Sequence, residues 1–146
     1  MGKVEKITSN LIELAQTAHG NFKHAAAITQ GSKILSTGVN DGRRTKWRKS
    51  VKPCFHAEIA AIASFQNKFK CFKRRSNLTL WVIRIPSNKT KLTHFRDSMP
   101  CGDCYREAKK LGINTLKYSN AEGKIVSVKF KNFFSNYLTT GQRCIY

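Results

Sequence analysis

The sequence predicts an α/β domain, and three observations support this prediction. Segments with helical spacing alternate with strand-like segments, one apolar run has the pattern of a buried central strand, and the length suits one domain. With 146 residues, 40% of them hydrophobic, the chain is long enough to bury a single core. Because the sequence shows no repeats or low-complexity tracts, we expect one domain over residues 1–146, with a tail at 136–146.

The first elements are predicted to be a helix and a hairpin. Apolar residues recur at helical spacing over 11–18, after the capping candidates Thr8 and Ser9, which predicts an opening helix that starts there. The segment 25–39 then alternates around Gly31 and predicts a two-stranded hairpin.

The middle of the chain predicts a basic loop, a buried helix and a central strand. The segment 41–53 is basic and lacks periodicity, whereas small and apolar residues from His56 to Lys68 predict a buried helix. The nearly continuous apolar run 78–85 is typical of a strand covered on both faces, and Pro86 ends it.

The last third predicts a long connection, a helix and an antiparallel hairpin. The polar and basic connection 87–99 is too long for a tight turn, and we expect it to contact substrate. A short helix over 105–111 closes at Gly112, and the two strands within 115–130 flank a turn short enough for antiparallel pairing. The aromatic tail 130–138 has helical spacing and is expected to dock on the core.

The charge favours a partner that carries phosphate. Lys and Arg number 27 against 8 Asp and Glu, which gives a formal net charge of +19 and a sequence pI of about 10.2. A positive field of this size attracts nucleotides, polynucleotides and anionic surfaces. No apolar stretch approaches the ~20 residues that span a bilayer, and no apolar signal core follows the first residues. We therefore expect an intracellular protein, cytoplasmic or nuclear, that is neither secreted nor bound to a membrane.

Two of the five cysteines have the spacing of metal ligands. Cys101 and Cys104 form a C-x-x-C after Pro100, and 41 residues separate this motif from His56-Ala57-Glu58. One imidazole and two thiolates supply three ligands to a tetrahedral ion and leave the fourth position for water, which is typical of catalytic zinc.

Simpler interpretations of the same residues remain. The C-x-x-C could be a redox pair or half of a structural zinc site, and Glu58 could be an ordinary acidic residue in the first turn of a helix. The other cysteines are expected to be inert thiols, and the other histidines are assigned to the surface or the core. These residues are Cys54, Cys71, Cys144, His19, His24 and His94.

The H-x-E and P-C-x-x-C motifs, in this order of elements, resemble the cytidine deaminase superfamily over most of the chain. The resemblance implies a mixed five-stranded sheet in a three-layer α/β/α sandwich, a zinc cofactor and a homo-oligomer. It also implies that zinc is held by His56, Cys101 and Cys104, and that Glu58 shuttles protons. The remaining roles that it implies are a sugar contact by Asn40, the shaping of the ligand loop by Pro100, and the orientation of water and substrate by backbone amides near Ala57 and Cys101.

Three functions follow from this resemblance. The first is deamination of cytidine, deoxycytidine or dCMP, which the C-terminal hairpin favours. Arg43 and Arg44, just beyond Asn40, could reach a 5′-phosphate, or they could simply belong to an exposed basic loop. The second is deamination of tRNA or single-stranded DNA, which the charge favours together with aromatic residues in basic segments, namely Trp47, Phe69, Phe72 and Phe95. The third is a basic structural or packaging protein that retains the fold.

Overall fold

The computed structural model describes residues 2–18, 23–40, 46–47, 50–51, 56–69, 77–86 and 95–135. In this part of the chain a five-stranded mixed sheet lies between helices, which confirms the predicted three-layer α/β/α sandwich. The elements are α1 (Lys3–Gln16), β1 (Lys23–Gln30), β2 (Lys33–Val39), β3 (Lys46–Trp47), β4 (Ser50–Val51), α2 (Ala57–Lys68), β5 (Leu78–Ile85), α3 (Gly102–Leu111), β6 (Thr115–Ser119), β7 (Ile125–Lys129) and a 3₁₀ turn (Phe130–Asn132).

The sheet has the strand order β2-β1-β5-β6-β7, so β5 is central, as its apolar run predicted. Strand β1 pairs antiparallel with β2 and β5, β5 pairs parallel with β6, and β6 and β7 form the predicted antiparallel hairpin. Alternate residues of β5 serve opposite layers: Leu80 and Val82 pack with α2, whereas Trp81 and Ile83 pack with α1. Burial on both faces explains why this strand reads as nearly continuous apolar sequence.

Helix α1 begins earlier than the sequence predicted. Its first residue is Lys3, and the N–H of Gly2 donates to the carboxylate of Glu5 at 3.1 Å. Thr8 and Ser9 therefore lie inside the helix, and the hydroxyl of Thr8 bonds to a carbonyl one turn earlier. The prediction that they cap the helix is wrong, because such hydroxyls also bond within a helix.

Two further predictions need correction. The basic loop 41–53 contains a short antiparallel pairing of β3 with β4, where a loop without strands was expected. The tail was expected to be helical, but only one 3₁₀ turn forms within its described part, after which the chain is extended at Phe133. Rings of the tail pack on Tyr105 of α3, with Phe130 stacked at 5.4 Å, so the expected docking is confirmed as far as Ser135.

Among the residues that the structure describes, none of the helices is long and apolar enough to cross a membrane.

Helix α2 lies unusually close to β2, and Gly38 makes this distance possible. A Cβ atom on Gly38 would lie 2.6 Å from the carbonyl oxygen of Ala57 and closer still to the backbone nitrogen of Ala61. One turn further along the helix, the buried hydroxyl of Ser36 donates to the carbonyl of Ala61 at 2.9 Å. The position of α2 on the sheet is therefore set by backbone contact and one hydrogen bond.

Replacement of Gly38 by alanine should displace α2. We expect Gly38→Ala to reduce the free energy of unfolding by about 3 kcal/mol, because the new methyl group meets helix backbone that cannot rotate away. Urea denaturation measures this loss. Gly2→Ala is the control, since its Cβ has 3.9 Å of space and its φ of −71° suits alanine. A Gly38→Ala protein as stable as the control would contradict the close contact.

Candidate metal centre and active site

The predicted metal ligands come together where α2 and α3 begin. His56 is the N-cap residue of α2, Cys101 is the N-cap residue of α3, and Cys104 lies in the first turn of α3. The Nδ1 atom of His56 is 3.4 Å from Sγ of Cys104 and 3.5 Å from Sγ of Cys101. One ligand atom from each residue lies within 4.8 Å of the others, so a single ion can contact all three.

The donor set fits zinc. Imidazole nitrogen and cysteine sulfur are zinc ligands, and three protein ligands leave a coordination position open. Both thiols are buried, Cys101 to 4% exposure and Cys104 completely, and they pack with Ile59 and Ala63. The apolar surroundings limit the access of water to the sulfur atoms. His56, Cys101 and Cys104 would therefore hold a zinc ion at this position.

The local electrostatics favour an anionic sulfur at Cys101. A hydrogen bond with Cys104, assisted by the imidazole of His56, lowers the pKa of the Cys101 thiol to about 4 in spite of its burial. The positive ends of two helix dipoles act in the same direction. The pKa of Cys104 is raised, first by its hydrogen bond with Cys101 and then by burial.

Glu58 lies beside the ligands and is almost fully buried. It occupies the first turn of α2 and is 5% exposed. Burial raises the pKa of its carboxyl group above the ordinary value, while the charge of His56 opposes this shift. A carboxyl group with a raised pKa, held next to a metal centre, can accept a proton and return it.

Of the other site residues predicted from the sequence, Asn40, Ala57 and Pro100 lie in the described part of the chain. Asn40 follows β2, and its Oδ1 atom accepts the N–H of His24 at 2.8 Å. Ala57 is the buried first residue of α2, and the carbonyl of Pro100 accepts the hydroxyl of Ser135 at 2.8 Å. The predicted residues that lie outside the described part of the chain are Arg43, Arg44, Cys54, Cys71, Cys144, His19, His94, Phe72 and the connection over 87–94.

A buried pair of serines holds the segment that leads to Pro100. The hydroxyl of Ser98 donates to the carbonyl of Val82 at 2.8 Å, and its oxygen accepts the N–H of Ser119 at 3.0 Å. The hydroxyl of Ser119 donates to the carbonyl of Arg96 at 2.6 Å and accepts the N–H of Arg84 at 3.2 Å. These bonds connect the ends of β5 and β6 to the approach of the cysteine motif, which fixes where α3 begins.

The sequence analysis did not identify this serine pair, nor the position of His24. His24, expected at the surface or in the core, is part-buried in β1 and lies opposite Arg84 of β5. Burial, and then the charges of Arg84 and His56, lower the pKa of His24 to about 4. One signal was available, because Arg84 is the single charged residue in the apolar run of β5.

The fold and the metal centre together define a class of protein, the zinc-type deaminases. A model of the family described as the cytidine and deoxycytidylate deaminase zinc-binding region matches residues 1–120. The chain therefore belongs to this family, and zinc is its cofactor.

Solved structures with the same fold include three deaminases. A cytidine deaminase from Burkholderia pseudomallei aligns with a TM-score of 0.61 and 18% identity over 92% of this chain and 98% of its own. A dCMP deaminase from the cyanophage S-TIM5 gives 0.53 and 20%, over 80% and 81% of the two chains. A mutant cytidine deaminase from Mycobacterium tuberculosis gives 0.53 and 16%, over 90% and 93%. No protein of curated function matches the chain significantly.

Removal of the Ser119 hydroxyl should loosen the approach to the metal ligands. Ser119→Ala leaves the N–H of Arg84 and the carbonyl of Arg96 without this partner, so we expect a loss of about 1–3 kcal/mol in the free energy of unfolding. Zinc should also be lost to a competing chelator at a lower chelator concentration. Ser127→Ala, on exposed β7, is the control and should change neither quantity. Unchanged stability and zinc retention in Ser119→Ala would contradict this role.

Proposed function

We propose that the protein is a hydrolytic deaminase that converts a cytosine-type nucleoside or nucleotide to the uracil form and releases ammonia. The observation that carries this proposal is the buried carboxylate of Glu58 beside the triangle of His56, Cys101 and Cys104. Neither a redox pair nor a structural zinc site requires that carboxylate.

The proposed reaction replaces the exocyclic amine of the base with oxygen from water. Zinc, when bound, supplies Lewis acidity that makes water acidic near neutral pH. Glu58 accepts a proton from the attacking water and passes it to the ring nitrogen, and it then transfers the second proton to the leaving ammonia. Its raised pKa suits both halves of this cycle, since the group must hold a proton as readily as it gives one up. Asn40 is proposed to contact the sugar, and Ala57 and Pro100 to line the base pocket.

Two observations favour a free substrate over a polymer. Strands β6 and β7 are directly connected and antiparallel, which the resemblance associates with deaminases of free cytidines. Of the aromatic residues considered for base stacking, Phe69 packs on Phe65 with ring centroids 4.8 Å apart, and Phe95 packs with the α1 layer. These two rings serve the core. The net charge of +19 still favours phosphate in the substrate.

Substitution of Glu58 should separate zinc binding from turnover. Glu58→Gln keeps the metal ligands and the side-chain volume but cannot carry a proton, so we expect one zinc per chain and a loss of turnover of at least about 100-fold. Cys101→Ala should lose both zinc and turnover. Zinc content by mass spectrometry and ammonia release measure the two properties.

The substrate panel consists of cytidine, deoxycytidine, CMP, dCMP, adenosine, tRNA and single-stranded DNA. Ammonia from a free pyrimidine supports the proposal, and ammonia from tRNA or DNA alone would replace it with the polymer alternative. If the zinc-loaded protein releases no ammonia from any of them, the structural or packaging interpretation is favoured. Full turnover by Glu58→Gln would refute the catalytic role assigned to Glu58.

A further inference from the structure

Four polar residues form a row across the end of the sheet beside the metal centre. Asn40 follows the register that pairs Val39 with Ala25, so it lies opposite His24, to which it is hydrogen-bonded. His24 lies opposite Arg84, and Arg84 forms an isolated antiparallel bridge with Arg96. We call these residues the polar row: Asn40, His24, Arg84 and Arg96.

The side chains of the two arginines project from the sheet face that carries α2. Val82, two residues before Arg84, packs in the same cluster as α2, and alternation places Arg84 on that face. Residues directly opposite each other on antiparallel segments share a face, so Arg96 projects there too. This agrees with Phe95, the neighbour of Arg96, which packs on the α1 side.

The polar row lies level with the metal ligands. Ser36 bonds to the carbonyl of Ala61, whereas the Cβ position of Gly38 meets the nitrogen of Ala61 and the carbonyl of Ala57, which lie nearer the helix start. Asn40 is two residues beyond Gly38 on the same face of β2, so alternation along the strand places it towards the helix start, which His56 precedes.

The backbone of Arg84 is held on both sides. Its N–H donates to Ser119, and its carbonyl accepts the N–H of Arg96 at 2.9 Å. The two arginines are thus placed by a strand and a bridge, and rigid placement favours defined contacts with a ligand. Like charges directly opposite each other repel, and an anion between them offsets this repulsion. Guanidinium groups bind phosphate through paired hydrogen bonds.

We infer that Arg84 and Arg96 bind the 5′-phosphate of a mononucleotide substrate whose base lies at the metal centre. This inference rests on the proposed function and narrows its substrate class from nucleosides and nucleotides to nucleotides. It assigns phosphate recognition to two arginines other than Arg43 and Arg44, for which the sequence suggested a contact with the 5′-phosphate. Within the polar row, His24 and Asn40 lie on the β2 side of the two arginines.

Binding of dCMP and deoxycytidine to the full-length, zinc-loaded Glu58→Gln protein tests this inference without turnover. Calorimetry should show that Arg84→Met and Arg96→Met each weaken dCMP binding by about 10-fold to 100-fold, the effect of losing a hydrogen bond to a charged group. Binding of deoxycytidine, which lacks the phosphate, should stay close to that of the parent. Arg84→Lys keeps the charge without the planar fork and should give an intermediate loss.

Lys33→Met is the matched control. It removes one positive charge from an exposed position where β2 begins, at the opposite end of the sheet, and should change neither affinity. Arg96 is exposed, so Arg96→Met provides the decisive result if Arg84→Met fails to fold. Measurements of zinc content and of the unfolding midpoint show whether Arg84→Met has folded.

Three results would overturn the inference: equal loss of dCMP and deoxycytidine binding, unchanged dCMP binding in Arg96→Met, or no dCMP binding by the parent. Weaker binding of single-stranded DNA with unchanged dCMP binding would likewise assign the arginines to a polymer. A failure of the proposed function is a different outcome, because it appears as no ammonia release by the protein that retains Glu58.

Discussion

The metal ligands can meet only because α2 and α3 begin at the same place, and this depends on how closely α2 lies on the sheet. Gly38 leaves no space between β2 and the backbone of α2, and the Ser36 hydroxyl fixes the helix along its length. The position of His56 relative to the sheet is therefore fixed, because this residue immediately precedes α2. On the other side, the bonds of Ser98 and Ser119 fix the segment that delivers Cys101. Small displacements of either helix would open the triangle, since the two distances from the His56 nitrogen to the cysteine sulfurs are only 3.4 and 3.5 Å.

Most of the fold could be predicted from the sequence because its elements carry local signals. Three features could be predicted from a few neighbouring residues each. They are the apolar run of β5, the turn at Gly31, and the end of α3 at Gly112, which has a left-handed φ of 88°. The errors occurred where the same residue types serve two purposes. Thr8 can cap a helix or bond within one, and aromatic residues at helical spacing can also pack from a single 3₁₀ turn followed by extended chain.

The candidate site was only partly predictable, for a related reason. His56, Glu58 and the two cysteines are revealed by fixed spacing within short motifs, whereas Ser98, Ser119 and the polar row come together only through sheet register. Register depends on pairing between distant segments, so Arg96 and Arg84 do not look related in the sequence. The single charge within the apolar strand β5 was the visible sign that Arg84 occupies an unusual position.

The central claim is that His56, Cys101 and Cys104 hold zinc with one position open for chemistry. X-ray absorption spectroscopy at the zinc edge of the full-length protein tests it directly. The account predicts two sulfur neighbours at about 2.3 Å and two nitrogen or oxygen neighbours at about 2.0 Å. Four sulfur neighbours would show a closed structural site completed by other cysteines of the chain, and would contradict the account.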